Sequence, residues 1–510
     1  MPTYLSPGVY VEEVDSGSRP IEGVGTAVAA FVGLASRGPF NSPTLVTNWT
    51  QFTTAFGDFV EGSYLAHAVY GYFLNGGGAC YVVRVGADGN GAAPGTAGEL
   101  PKADTTLGGY KITALPAGSE GEVIAVEVEH PTEPDASEDQ FKLIVKRGPE
   151  VAETHTVSTK KGRQNVVTVV NKESQLIRVE ELPTKGELVR PEVGTAELAL
   201  GTPVQDIKRL RPDDYIGSSA TRTGFGGLEA VDPVTMLCVP DLMAAYQKNL
   251  IDIEGVQAVQ LAMIAHCENM GDRVAILDPP PGLNADQIRE WRVDKVGYDS
   301  KYATLYWPWI GVYDPPTGKT AQIPPCGHIA GIWGRSDDTR GVHKAPANEV
   351  VRGAISLPIQ LTKPEHDLLN PEGINCIRAF AGRGIRVWGA RTLSSDPLWR
   401  YINIRRLFNY LEESILEGTE WAVFEPNDHE LWAKIRRTIA AFLVNEWRKG
   451  ALFGLTPDQA FYVKCDDETN PAESIDAGMV VCEVGIAPVK PAEFVIFRLS
   501  QYSGGASLTE

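Results

Sequence analysis

The chain has no run of residues both long and apolar enough to cross a bilayer. Its most apolar stretch, GVGTAVAAFVGLA at 23–35, is short and glycine-rich against the about 20 residues that a spanning helix needs, so direct membrane insertion is not expected. The opening MPTYLS lacks the basic region of a secretory signal, and synthesis in the cytosol follows as the expectation. The seven cysteines, at 80, 238, 267, 326, 376, 465 and 482, are odd in number and lack close pairs. That argues against a disulfide framework and for buried thiols in a reducing compartment. Basic residues are also scarce: 46 against 65 acidic ones leave a net charge of −19. Phosphate neutralisation requires a basic surface, so nucleic acid is excluded as a partner.

Signatures of chemistry are missing as well. Gly318-Lys319-Thr320 resembles the end of a phosphate loop, but Tyr313 stands where the first glycine belongs, and the prolines that follow oppose a helix there. The glycines of GRGIRVWG at 382–389 lead into a β-type run rather than into the helix that would supply donors to a pyrophosphate. Cys326 with His328, and His266 with Cys267, have no partner pair at metal-ligand spacing. No G-x-S-x-G nucleophile elbow occurs. The carboxylate pairs Asp337-Asp338 and Glu412-Glu413 read as helix-surface charge rather than acid/base dyads. No catalytic, cofactor or metal residues are therefore assigned.

What is present is patterning. At 510 residues the chain suggests about two to four domains, and its 43% hydrophobic and 22% charged content is that of a globular protein. Strand, helix and strand patterns follow one another over 23–86. From 86 to about 204 only two aromatics occur, Tyr110 and Phe141. The segments EVIAVEVEH, QFKLIVKRG, NVVTVVNKE and QLIRVEEL read there as short strands of a small antiparallel domain. The α/β pattern resumes from VTMLCVPD to YATLYWPWIGVYD, favouring a doubly wound, partly parallel sheet. Nine of ten tryptophans lie after residue 290, which places the densest core in the last third. Two strong helices stand out in that third. One follows SSDPLW, with Ser395 or Asp396 as N-cap and Pro397 just inside, and carries Ile404, Leu407, Phe408, Leu411 and Ile415 on one face. The other carries Leu431, Ile435, Ile439, Phe442 and Leu443.

Two strand-like segments have no local partner. LSPGVYVEEV contains the alternating Val9, Tyr10, Val11, Glu12, Glu13 and Val14, and AEFVIFRLSQY contains Glu493, Phe494, Val495, Ile496, Phe497, Arg498 and Leu499. An unpaired strand exposes a row of backbone donors and acceptors. The partners are expected on another chain.

These residues carry a family likeness. YLSPGVYVEEV, FVGLASRGPFNSPTLVTNWTQFTTAFG, HIAGIWGRSDDTRGVHKAPANEVVRGA and above all GINCIRAFAGRGIRVWGARTLSSDPLWRYINIRRLFNYLEESILEGTEWAVFEPND resemble contractile tail sheath proteins of phages, phage-tail-like bacteriocins and extracellular injection systems. The resemblance implies a homo-oligomer of stacked hexameric rings around an inner tube protein, with baseplate and terminal cap proteins as further partners. It also implies contraction that drives the tube through a target envelope. Assembly in the bacterial cytoplasm, as part of a phage tail or a tail-like particle that is retained or released, goes with it.

The fold implied is mixed α/β and α+β, multidomain. It comprises an N-terminal extended arm (1–22), a discontinuous α/β sheath domain (23–94 and 205–330), an inserted β-rich outward-facing domain (95–204), a C-terminal domain (331–493) and a strand arm (494–510). The two arms would pair with neighbouring subunits. The family's tube contact maps here onto the basic positions Arg405, Arg406, Lys434, Arg436, Arg437, Arg448 and Lys449, which serve the tube or the lattice. The competing reading is an α/β enzyme acting on a nucleotide or phosphorylated small molecule through the unit at 234–314.

Overall fold

The computed structural model describes residues 20–86, 104–114, 124–130, 137, 139–147, 150–174, 176–182, 190–198 and 210–499. Its centre is an eight-stranded sheet. Across the sheet the strands run Gly384–Val387, Ile374–Phe380, Ala303–Trp307, Val274–Leu277, Met236–Cys238, Val28–Gly33, Ala79–Arg84 and Thr44–Val46. The inner six are parallel and the two outermost antiparallel. Parallel strands are covered on both faces and so read as unbroken apolar runs. In Val28–Gly33, Ala30 and Val32 pack into one core with the helix Ile253–Met270. Ala29 and Phe31 pack into the other with the helices Leu65–Asn75 and Cys326–Arg340.

Those last two helices meet backbone to backbone. A Cβ on Gly327 would lie 2.3 Å from the Ala68 carbonyl oxygen, and one on Gly331 would lie 2.3 Å from that of Tyr72. Glycine at these two positions is what lets the layer close. Cys326–Arg340 was not legible as a helix, because prolines precede it and three glycines interrupt its apolar pattern. It starts directly after Pro325, where a proline costs no hydrogen bond.

The sheet crosses the expected domain division at 330. That position falls inside Cys326–Arg340, and the strands Ile374–Phe380 and Gly384–Val387 extend the same sheet. The late tryptophans are shared between cores: Trp291, Trp307 and Trp309 lie in one core of the sheet and Trp333 in the other, while Trp432 is buried in the C-terminal core with Trp421 and Trp447 packed against it.

The order of the strands reverses between Met236–Cys238 and Val28–Gly33, the place where open α/β sheets bind ligands. Here the crevice is closed by the chain itself. Buried Asp241 accepts hydrogen bonds from the Leu34 amide (2.6 Å), the Ser63 hydroxyl (2.9 Å) and the Tyr64 amide. Burial pushes its carboxyl up to about 6, against the lowering effect of these donors.

The segment between 104 and 198 forms its own unit. A four-stranded antiparallel sheet (Gly194–Leu198, Ile124–Glu129, Gln140–Arg147, Glu150–Ser158) and a three-stranded one (Asp104–Leu107, Tyr110–Ala114, Ile177–Glu181) share a core with Tyr110 and Phe141. NVVTVVNKE, read as a strand, is the helix Val166–Glu173. The Asn165 side chain caps it by accepting from Val167 and Thr168, and Val166 and Val170, one turn apart, are its buried face. β-branched composition misled the reading, and the cap decides the conformation.

The C-terminal core is built by the helices Ile402–Thr419 and His429–Arg448. Leu407, Leu411, Leu431, Ile435, Ile439, Phe442 and Leu443 are buried between them. The second helix is capped by Asp428, which accepts from Leu431. The first does not begin at Ser395 or Asp396. Ser395 is taken by Asp299, and Asp396 accepts from the Leu398 amide in a turn. The helix therefore starts only at Ile402.

Candidate assembly interface

Glu493 is not part of a free arm. Its carboxylate receives a two-pronged hydrogen bond from Arg391 (Nε 3.0 Å, a terminal nitrogen 2.6 Å), one from the Asn370 amide (2.7 Å) and one from the Tyr401 hydroxyl (3.0 Å). Burial alone would raise the Glu493 carboxyl, but the hydrogen bonds from Arg391 and Asn370 outweigh it and leave it below the ordinary value. Arg391 is 9% exposed, so the pair holds the chain to the body at this residue. The next residues leave the body. Phe494 is 72% exposed, Ile496 79%, Phe497 86% and Leu499 97%. Among the described residues 494–499 pair with nothing and form no strand. Without a partner strand its exposed backbone groups are left to water and no ladder forms, which is why the strand pattern in the sequence yields no strand in a single chain.

The N-terminal side is rooted in the same way. Val9, Tyr10, Val11, Glu12, Glu13 and Val14 lie outside the described residues. Ile21, expected within the arm, is instead buried in the C-terminal core, against Gly418. The Val24 amide donates to Ser414 Oγ (3.1 Å). Thr26 donates to Asp337 (2.7 Å) and its carbonyl accepts from Arg406 (3.0 Å).

Arg405 and Arg406 are therefore not solvent-facing contacts. Arg406 pairs with Asp337 at 2.5 Å, with side chains 4% and 5% exposed, and stacks on Trp333. Arg405 bonds Asn409 and Glu412 and lies over Tyr302 and Trp399. Planar guanidinium stacking between aromatic faces is a packing role, and the helical pattern alone does not distinguish it from surface charge. Of the remaining basic positions, Lys434 lies 4.1 Å from the Trp421 ring centre, Arg436 donates to the Cys465 carbonyl and Lys449 pairs with Glu446. Arg437 and Arg448 are exposed. Eleven residues apart, they fall on one face of His429–Arg448.

The core that buries Ile21 also carries a small antiparallel sheet of two strands, Phe461–Lys464 and Glu483–Ile486. Each has one neighbour, so each leaves an edge unpaired within the sheet. Exposed apolar side chains surround it: Tyr462 at 54%, Phe453 at 72% and Leu455 at 90%.

The other sequence candidates hold no chemistry. Gly318 sits in a turn with φ +65° before the strand Lys319–Ile323. Cys326 and His328 are buried in the first turn of a helix. No group of metal-ligating side chains assembles among the described residues, and none of their helices is long and apolar enough to cross a membrane. Arg391, Asn370 and Tyr401 were missed by sequence reasoning, since nothing in their local pattern connects them to a glutamate about a hundred positions away.

Comparison with known proteins identifies the family and the fold. Residues 230–393 match the family described as phage tail sheath protein central domain, and 394–501 match phage tail sheath C-terminal domain. Together they run without a gap over more than half of the chain. The chain is 26% identical over 262 residues to the tail sheath protein of Vibrio phage KVP40, covering 47% of this chain and 38% of that protein. It is 29% identical to that of Salmonella phage ViI over 41% of this chain and 32% of that protein. The matched stretch thus takes up about a third of the length of these two relatives. The tail sheath protein of Burkholderia phage BcepMu matches at 24% over 96% of this chain and 95% of its own.

Among solved structures, the anti-feeding prophage helical sheath in its contracted state has the same fold, with a TM-score of 0.59 at 24% identity over 98% of this chain and 100% of that one. The contracted PVC sheath gives 0.58 at 22%, over 98% and 99%. The chain belongs to the phage tail sheath protein family.

Proposed function

We propose that the protein is the structural subunit of a contractile tail sheath. It polymerises as stacked hexameric rings around an inner tube and contracts to drive that tube through a target cell envelope. The observation that carries this reading is the segment 494–499, apolar, exposed and rooted at Glu493. Such a segment gains its missing hydrogen bonds by adding to the open edge of another subunit's sheet, and the two-strand sheet Phe461–Lys464 with Glu483–Ile486 offers such edges. At about 0.5–1.5 kcal/mol net per hydrogen bond, a strand with about five bonds contributes several kcal/mol. Residues 9–14 would add a second strand from a further neighbour. Firm roots with free tips let subunits rotate while remaining linked.

Arg437 and Arg448 are the contacts for the inner tube or for adjoining subunits. Baseplate and cap proteins bound the ends of the sleeve, which forms in the bacterial cytoplasm as part of a phage tail or tail-like particle. The β-rich insertion (95–204) has a core of its own and faces outward. Work is stored in the lattice, so the subunit performs no turnover. The ligand crevice of its α/β sheet, filled by Asp241, supports this over the enzyme reading. Negative-stain microscopy of the purified full-length chain tests it. Long helical tubes are expected, together with no thermal shift across a panel of nucleotides and phosphorylated metabolites. A monodisperse small oligomer stabilised by one of those ligands contradicts the proposal.

A further inference from the structure

The register of the small C-terminal sheet runs Phe461↔Ile486, Tyr462↔Gly485, Val463↔Val484 and Lys464↔Glu483. One further step sets Cys465 opposite Cys482. Directly opposed residues in an antiparallel pair have Cα atoms about 4.5–5.5 Å apart, within the about 4.4–6.8 Å that a disulfide tolerates. Both side chains point into the same core: Cys465 is fully buried, and Cys482 packs half-buried against that cluster.

Asn470, in the intervening loop, fixes their approach from both sides. Its amide nitrogen lies 3.8 Å from Cys465 Sγ and 3.0 Å from the Val481 carbonyl oxygen. Its oxygen accepts from the Val481 amide at 2.6 Å. The linear spacing of these cysteines gives no hint of this, since the loop 466–481 separates them.

We propose that Cys465 and Cys482 form a reversible thiol–disulfide site that staples the two-stranded sheet and closes the loop 466–481 when the protein meets an oxidising environment. The oxidant is a low-molecular-weight disulfide such as oxidised glutathione. The Cys482 thiolate, the more accessible of the two, attacks one of its sulfurs, forming a mixed disulfide and releasing one glutathione thiolate. The Cys465 thiolate then attacks the Cys482 sulfur, forming the intramolecular bond and expelling the second glutathione thiolate. Two protein thiols are oxidised, one external disulfide is reduced to two thiols, and the two protons pass to solvent or to the released thiolates.

Burial, then the proximity of Cys465, pushes the Cys482 thiol up to about 12. Little thiolate is therefore present at neutral pH and the exchange is slow, so the dithiol form persists while the compartment is reducing. Should this sheet receive neighbouring arms, as the assembly reading holds, the staple also stiffens the receiving edge.

The test uses the reduced full-length chain, exposed to oxidised glutathione at alkaline pH, alkylated and mapped without reduction. The expected product is a peptide linking Cys465 to Cys482, with loss of two of the seven thiols, reversal by dithiothreitol, and severalfold slower protease cleavage within 466–481. In Cys465→Ser the resolving thiol is gone, and Cys482 should accumulate as a glutathione adduct. Three outcomes overturn the proposal: a persistent adduct on Cys482 in the unmodified chain, a link to any other cysteine, or Cys465 and Cys482 both still free in the unmodified chain after the exposure. The mapping of the unmodified chain decides the matter even if the variant fails to fold. Tube formation is scored separately by microscopy, so a linked chain that forms no tubes counts against the assembly reading and not against this site.

Discussion

Arg391 grips Glu493 with two hydrogen bonds, the shorter at 2.6 Å, at the last residue before the chain leaves its body. Glu493→Ala strands a buried guanidinium and should cost about 1–3 kcal/mol in urea unfolding. The larger effect falls on the arm, whose starting direction is no longer set. Limited proteolysis at 494–499 should quicken, and tube yield should drop while the monomer stays folded. The carboxyl lies below its ordinary 4.5 in the folded chain, so its stabilisation is present above that value and lost as pH falls through the lowered one. Acid below about pH 4 should therefore loosen the root, read as 494–499 cleavage in the native protein that quickens on acidification towards the rate of Glu493→Gln, whose own rate should not respond to this titration.

Arg406 holds the other root. Asp337 and Thr26 both depend on it, and Arg406→Ala leaves Asp337 charged and unpaired in a dry site. The expected loss is about 3–5 kcal/mol, measured by denaturant unfolding. Arg406→Lys should recover only part of it, because an ammonium cannot reproduce the fork and the stacking on Trp333.

Gly331→Ala tests the helix crossing behind the sheet. The new methyl would lie 2.3 Å from a backbone carbonyl, which no rotamer change relieves. Overpacking of this kind costs about 1–3 kcal/mol, and a thermal midpoint lowered by several degrees is expected. Gly334→Ala, whose nearest neighbour is 3.5 Å away, should be tolerated.

Asp278 gives a signed pH dependence. It is buried at the end of Val274–Leu277 and accepts from the Cys326 amide. Burial pushes its carboxyl up to about 7, despite the lowering effect of Cys326. A raised acid contributes stability that is full below its unfolded value and is lost as pH rises through the folded one. Between about pH 4 and 7 the wild type should therefore lose stability relative to Asp278→Asn, read as a narrowing or reversal of the difference between their thermal midpoints.

The layered α/β core was legible in the sequence because buried parallel strands leave unbroken apolar runs, as in Val28–Gly33, Val274–Leu277 and Ala303–Trp307. The helix His429–Arg448 was legible because its stripe keeps one period. Features decided by single distant partners were not. Asp299 captures Ser395 and delays a helix, Asn165 turns a β-branched run into one, and Asp337 draws Arg406 out of solvent. The strand-like pattern of 494–499 was legible, but the point at which the chain leaves its body was not. Glu493 reads as one more polar residue in an alternating run until Arg391 is folded against it.

Deleting 494–510 while keeping Glu493 tests the central claim most directly. Negative-stain microscopy and sedimentation of the purified chain should show folded subunits with an unchanged thermal midpoint and no tubes. Tubes formed as readily as by the full-length chain would contradict the account.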